Sequence, residues 1–238
     1  MSHSRQQSYK YYDLVMAFFA VILVASNIAS SAKIVDLGFS LFGIRLAFDG
    51  GTLLFPLAYV LGDVFTEVYG FKAARRAIWT GFALLAFTAL VFFVLRLLPG
   101  ESTWEAGTGS AAYDAVLGGM SSGGIVLASL AGYLVGEFLN AILHSRIKVL
   151  MKGRLLWVRA IGSSVAGELL DSVVFVSIAC AAGVFPWQLF PSLVLTNYVL
   201  KLLIEVLVLP VNYAVVRRLK KSEGIDAYDL GMHYRLWG

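Results

Sequence analysis

A chain of 238 residues that is 59% hydrophobic and 14% charged, with a mean hydropathy of +0.78, lies far outside the range of a soluble globular protein. A membrane span takes roughly 20 apolar residues, so the length allows about six to eight spans and no separate soluble domain. The net charge of +4 and pI near 9.2 do not point to nucleic acid, because aromatic and basic residues are not interleaved, and the single Cys180 without any CxxC excludes an intrachain disulfide and leaves thiol chemistry unsupported.

Uninterrupted apolar stretches predict an all-α membrane protein, one transmembrane domain over 1–238 with six transmembrane helices at about 11–33, 51–70, 74–98, 122–146, 158–184 and 189–216. Span one is too long and too continuous with the next segment for a cleaved signal peptide, and reads as a retained helix. Between spans one and two, Leu37, Phe39 and Leu41, then Ile44, Leu46 and Phe48, alternate with small or polar residues around Phe42-Gly43. Period-two alternation about a glycine turn predicts a short external β-hairpin, with an interfacial loop as the alternative. Span three carries no charge between Arg76 and Arg96, which predicts a peripheral position; its Gly81, Ala83 and Ala86 would allow helix pairing in a homodimer. The segment 99–121, rich in Gly and Ser, reads as an exposed loop. Placing the N-terminus, the loops after spans two and four and the C-terminal tail on one side gathers Arg5, Lys10, Lys72, Arg75, Arg76, Arg146, Lys148, Lys152, Arg154, Arg159, Arg217, Arg218, Lys220, Lys221 and Arg235 there. The positive-inside rule then makes both termini cytoplasmic, in agreement with an even number of spans.

The informative residues are those that a bilayer disfavours. Asp63 and Glu67 in span two, Glu137 in span four, Glu168 and Asp171 in span five, and Lys201 and Glu205 in span six interrupt apolar runs. Each would cost about 2.5–3.5 kcal/mol on insertion scales unless it faces a partner or a wet cavity. Counting along each helix places Asp63, Glu137, Glu168, Asp171 and Lys201 at about 15–23 Å from their faces, in one layer near the midplane, with Glu67 a turn closer to the cytoplasm and able to pair with Arg75 or Arg76. Spacings of three and four put each set on one helix face, Glu137 with Asn140 and Asn197 with Lys201 and Glu205, while Ser26, Asn27, Ser30 and Ser31 add a polar stripe to span one. Five spans would line a central cavity. Gly62-Asp63 and Gly167-Glu168 occupy corresponding positions of two three-helix halves, as in a 3+3 inverted repeat, although Gly136-Glu137 in span four carries the same pattern. Glycine beside each acid would also let neighbouring helices approach closely.

Two readings of these charges compete. They either hold the bundle together as an ion-pair network, or they bind a ligand or a proton; one lysine cannot balance six carboxylates, and that excess favours the second reading. Catalysis has little support. An intramembrane aspartyl protease would need GxGD, and Val60 stands where the first glycine should be; there is no GxSxG or HExxH, and His144 reads as a solvated or lipid-facing residue at the end of span four. Carboxylates spread over several helices suit a ligand cage better than a channel's selectivity ring.

Several segments together resemble the family of queuosine-precursor transporters, also classed among vitamin-uptake-like transporters. They are Ser26-Asn27 with Lys33, GDVFTEVYGFKAARR from Gly62 to Arg76, GEFLNAILHSRIK from Gly136 to Lys148, GELLDSVVF from Gly167 to Phe175, and NYVLKLLIEVLVLP from Asn197 to Pro210. The resemblance implies import of 7-deazaguanine bases, 7-cyano-7-deazaguanine and 7-aminomethyl-7-deazaguanine, across the bacterial inner membrane for queuosine synthesis in tRNA. It implies a small nucleobase as partner beside membrane lipid, no cofactor, no metal and no bound nucleic acid. Such a ligand suits the residues. A guanine-like edge offers adjacent N–H donors to a carboxylate, asparagines can read the lactam, and an aminomethyl cation would offset negative charge. Asn27, Asp63, Glu137, Asn140, Glu168, Asp171, Asn197, Lys201 and Glu205 are the substrate-binding candidates, Glu67 and Glu205 the candidates for proton coupling or gating, and Phe65 or Phe175 the candidates for stacking on the base. Facilitated diffusion and proton symport both fit. The alternative is a subunit resembling the S-components of energy-coupling-factor vitamin importers, which work with separate ATPases.

Overall fold

The computed structural model describes residues 9–41, 43–121 and 123–237. Arg5, one of the orienting charges, and Phe42 of the hairpin turn lie outside the described residues. Helix α1 (Tyr12–Ala32) leads into an antiparallel pair, β1 (Ile34–Leu41) and β2 (Ile44–Asp49), so the expected hairpin is present. Its register pairs Ile34 with Asp49 and Leu41 with Ile44, with an irregularity between Asp36 and Ser40 where Gly38 takes a positive φ. The Ala47 N–H of β2 donates to Ser192 Oγ at 3.1 Å, which holds the hairpin against the last long helix, α8 (Phe190–Glu223).

The segment expected as span two is broken. A 3-10 turn at Gly50–Leu53, capped by Asp49, precedes α2 (Phe55–Val64, with Pro56 in its first turn) and a π-helical turn at Phe65–Tyr69. Gly50, Gly51 and Pro56 delay regular helix to Phe55. The remaining run of 15 residues in these two elements rises only about 22 Å, short of a hydrocarbon core of about 30 Å. Gly70 then turns the chain at φ +85°, and a Cβ there would come within 3.1 Å of Ala227 Cβ and Asp229 Oδ1, so it also lets the C-terminal tail approach.

Helices α3 (Phe71–Leu97), α6 (Gly124–Leu150) and α7 (Leu156–Ala181) complete the bundle with α8. Between α3 and α6, where a loop is expected, the chain forms α4 (Ser102–Ala106) and α5 (Gly109–Ser121), the latter packed on α1 and α3. Tertiary contact overrides the weak helix propensity of its glycines and serines. Among the described residues, five stretches are long and apolar enough to cross a membrane: Tyr12–Ala32, Phe71–Leu97, Gly109–Leu150, Leu156–Ala181 and Trp187–Glu223. Their outer faces expose large apolar side chains such as Phe18, Val21, Phe87, Leu127 and Leu207.

Helix α6 sits at the centre and packs most extensively on α7. A Cβ on Gly136 would come within 2.7 Å of Asp171 Cβ and 3.0 Å of the Gly167 carbonyl, and one on Gly167 within 2.9 Å of the Gly136 carbonyl. These glycines bring the two helix backbones together, the packing role expected of a glycine beside each acid. The start of α1 meets the end of α8, since Glu223 accepts the N–H of Lys10 at 2.8 Å and of Tyr11 at 2.7 Å. This end of the bundle, where the first described residues, the end of α8 and the segment after it meet opposite the hairpin, is the terminal face.

Candidate functional site

Apolar side chains occupy the outside of this bundle, so the polar ones are paired inward. They form a continuous column rather than one layer. From Gly132 to Lys148, α6 carries it over about 24 Å of helical rise, with Glu137, Asn140 and His144 succeeding one another at steps of three to four residues.

At the hairpin end stands Asp49, 2% exposed. It accepts from Ser30 Oγ, from the Gly51 N–H at 3.0 Å, from Thr52 Oγ1 at 2.9 Å and from Asn197 Nδ2 at 2.8 Å. Its place after a strand made it look like a loop residue, and the only signal that could have placed it was the Asp-Gly-Gly-Thr pattern of a capped turn. One turn further along α8, Lys201 Nζ donates to Asp171 Oδ2 at 2.5 Å and lies 5.2 Å from the centre of the Phe55 ring.

The next level holds Tyr59, Glu137, Glu168 and Glu205, all fully or nearly fully buried. Glu205 accepts from Ser164 Oγ at 2.8 Å and lies within reach of Glu168. Both carboxyl oxygens of Glu137 and the Tyr59 hydroxyl are buried without a hydrogen-bond partner among the described residues, and the Glu168 carboxyl, buried too, meets no donor there other than the neighbouring carboxyl of Glu205. Gly62 makes the room: a Cβ there would approach Glu137 Oε2 to 2.7 Å. Leaving such groups unpaired costs about 1–3 kcal/mol each, and more for charged ones, which a stable bundle tolerates for a ligand or a proton.

Towards the terminal face, Asn140 Nδ2 donates to Asp63 Oδ1 at 3.1 Å. His144 lies between Asp63 and Glu67, its Nδ1 3.0 Å from Asp63 Oδ1 and its Nε2 3.1 Å from Glu67 Oε2. It is 0% exposed, which corrects the expectation of a solvated or lipid-facing residue. Steps of three and four along α6 put it on the same face as Glu137 and Asn140, and the ion pairs make burial tolerable. Glu67 does not pair with Arg75 or Arg76 as expected. The π turn aims it inward, where Arg159 Nε and Nη2 grip its two oxygens at 2.7 and 2.8 Å, Lys220 contacts Oε1, and Lys148 donates to its backbone carbonyl at 2.6 Å. Lys148 and Arg159, expected among the orienting loop charges, are thus buried members of the column.

Of the substrate-binding candidates, Asp63, Glu137, Asn140, Glu168, Asp171, Asn197, Lys201 and Glu205 all face this column. Asn27 is buried on α1 but donates to Leu23 of its own helix at 2.9 Å. The stacking candidates are spent elsewhere. Phe65 packs edge-on against Tyr12 and Phe19 in one apolar cluster, and Phe175 sits 6.0 Å from Phe185 in the other. Phe175 lies one turn after Asp171 on α7, where a Cβ on Gly132 would meet both residues. Among the described residues the aromatic side chains at the column are Phe55, over which Lys201 lies, and Tyr59, which its apolar neighbours in span two concealed. Gly81, offered for contact between protomers, is turned inward, where a Cβ would meet Tyr133 and Phe19.

Long apolar helices around a buried polar column define a multi-pass membrane protein. Residues 49–215 match the family described as "Putative vitamin uptake transporter", and the chain belongs to that family. It is a transporter, not an enzyme. A relative from Bacillus subtilis (strain 168), named "Probable queuosine precursor transporter", is 27% identical over 77% of each chain. One of the same name from Haemophilus influenzae is 29% identical over 70% of this chain and 67% of its own, and the "Queuosine precursor transporter" of Escherichia coli (strain K12) is 24% identical over 94% and 96%. No solved structure matches the chain.

Proposed function

We propose that this protein imports 7-deazaguanine precursors of queuosine, 7-cyano-7-deazaguanine and 7-aminomethyl-7-deazaguanine, across a bacterial inner membrane as a secondary transporter. In this reading both termini are cytoplasmic, and the short α2 segment with its flanking turns serves as a sixth, discontinuous crossing buried among the other helices, where irregular backbone is tolerated. The observation that carries the reading is the set of buried acceptors on Glu137 and Glu168, beside Tyr59, which among the described residues meet no donor other than the Glu205 carboxyl next to Glu168. A guanine-like base presents adjacent N–H groups that a carboxylate accepts in two-pronged fashion. Asn140 and Asn197 would read the lactam edge, while Asp171, held by Lys201, and Asp63 would frame the site. Glu67 and Glu205 are the groups for coupling or gating. The names of the three relatives support the substrate class.

Uptake of labelled 7-deazaguanine by cells that make no precursor of their own tests the reading. Expression of the wild type restores uptake, and Glu168→Gln and Asp171→Asn each lower it at least tenfold at equal protein level; unchanged uptake in both variants removes these residues from the site. Liposomes containing the purified chain alone take up substrate if it is a secondary transporter. A requirement for ATP and partner proteins would instead mark a subunit of the energy-coupling-factor type.

A further inference from the structure

The column has a chemical boundary inside it. On its terminal-face side, the carboxylates Glu67 and Asp226 pair with the cations Arg159, Lys148 and Lys220, while the one ion-pair partner of Asp63 among the described residues is His144. On the other side, Glu137, Glu168, Asp171 and Glu205 face, among the described residues, only the cation of Lys201. His144 lies where the two meet.

Its geometry restricts its protonation. The ring is fully buried and each nitrogen lies within 3.1 Å of a carboxylate oxygen: Nε2 is hydrogen-bonded to Glu67 of the π turn, and Nδ1 stands at ion-pair distance, 3.0 Å, from Asp63 of α2 without the alignment of a hydrogen bond. A neutral imidazole has one N–H and one lone pair, so either tautomer would set a lone pair against a carboxylate oxygen; only the imidazolium presents a proton to both. The two carboxylates differ in a way that matters. Glu67 is already neutralised by Arg159 and Lys220, whereas among the described residues Asp63 has Asn140 and His144 alone on Oδ1, and its Oδ2 is buried without a partner. On α8, Glu205 is near enough to feel the imidazolium's charge.

We propose that His144 is the proton-carrying residue of transport: it holds one proton between Asp63 and Glu67 and passes it from Nδ1 to Asp63, joining the carboxylates that face the substrate to the ion cluster at the terminal face. In this transfer the Nδ1–H bond breaks and an O–H bond forms on Asp63, leaving a neutral ring that still donates from Nε2 to Glu67. No further reactant is required. Rotation of the protonated Asp63 carboxyl then carries the O–H from the Oδ1 side to the side of the free oxygen, towards the column, where Glu137 and Glu205 are the next acceptors. The inference rests on the import reading for its functional meaning, but the protonation itself can be observed without substrate.

Two measurements test it. The chain has three histidines, so ¹⁵N-histidine labelling with His3 and His233 replaced isolates the ring of His144. In the detergent-purified protein at pH 8 both of its nitrogens carry protons, and Asp63→Asn lets one leave; a neutral ring in the wild type at that pH overturns the proposal. In liposomes loaded with an alkaline interior, a one-unit pH gradient drives labelled 7-cyano-7-deazaguanine to about tenfold accumulation for one proton carried per neutral substrate. His144→Gln brings the ratio of accumulation with and without the gradient to one. A wild type that transports the base but ignores the gradient overturns the proton role while leaving import intact. A wild type that transports no deazaguanine defeats the import reading, and the labelled ring then decides on the proton site alone.

Discussion

Glu67 shows how much one side chain can organise here. A carboxylate inside a bundle is tolerated only when its charge is met, and Arg159 meets it with two nitrogens while Lys148, Lys220 and His144 close around it. Breaking such a pair strands the other charge. Arg159→Met is therefore expected to destabilise the protein by about 3–5 kcal/mol, read as a lower unfolding temperature in detergent, and Arg159→Lys recovers only part because a point charge cannot grip both oxygens. The double variant Glu67→Met with Arg159→Met costs less than the sum of the single variants. A loss in the double variant equal to the sum of the two single losses would show that the two residues act independently. That Glu67 was unusual was legible from its place in an apolar run. Its partners were not, because Arg159 lies on another helix and Lys220 near the end of the chain, and no spacing rule connects them.

At the scale of elements, helices α6, α7 and α8 were legible as apolar runs broken by acids at steps of three and four, and the hairpin as alternation about a glycine. Segments 51–70 and 99–121 were read less well. The first contains a 3-10 turn, a short helix and a π turn, whose backbone geometry depends on Asp49 and on the neighbouring helices; the second folds as α5 because α1 and α3 offer it a surface. The tail after α8 was read only as a source of charge. It is a strap across the terminal face: Gly224 ends α8 in a left-handed conformation, Asp226 binds Lys148 at 2.6 Å and Lys220 at 2.8 Å, Asp229 accepts from the Phe71 N–H and Ser145 Oγ, and Trp237 packs 4.1 Å from Trp79. Partial burial raises the pKa of Asp226, but the hydrogen bonds from Lys148 and Lys220 outweigh it and hold the group below its ordinary value. A depressed folded pKa means the clamp is complete above the usual carboxylate range near about 4 and is lost as pH falls through the folded value. Amide protection over residues 225–237, corrected for the pH dependence of intrinsic exchange, is expected to fall once the medium is acidified below that range, and to be low already at pH 7 in Asp226→Asn. Equal protection in the wild type at pH 7 and below that range would mean that the strap is held by its aromatic and backbone contacts alone.

For the whole molecule, polarity is arranged inside out, with leucine, valine and phenylalanine facing outward and a column of ionisable groups within. Orientation in the membrane depends on where the remaining basic residues sit, and it is directly testable because the native cysteine is single and buried. In a Cys180→Ala background, a membrane-impermeant thiol reagent applied to intact cells is expected to label Thr103→Cys and to leave Lys221→Cys unlabelled until the membrane is opened; the opposite pattern inverts the proposed topology. By itself the sequence determined that this is a multi-pass membrane protein with charges worth keeping inside it, because apolar length and the cost of burying charge depend on composition and local spacing alone. Only the tertiary structure decided that those charges form a column, that Asp49 belongs to it at one end and Arg159 and Lys148 at the other, and that His144 bridges two carboxylates. Each of these pairings joins residues far apart in the chain, and burial between packed helices is what makes them strong.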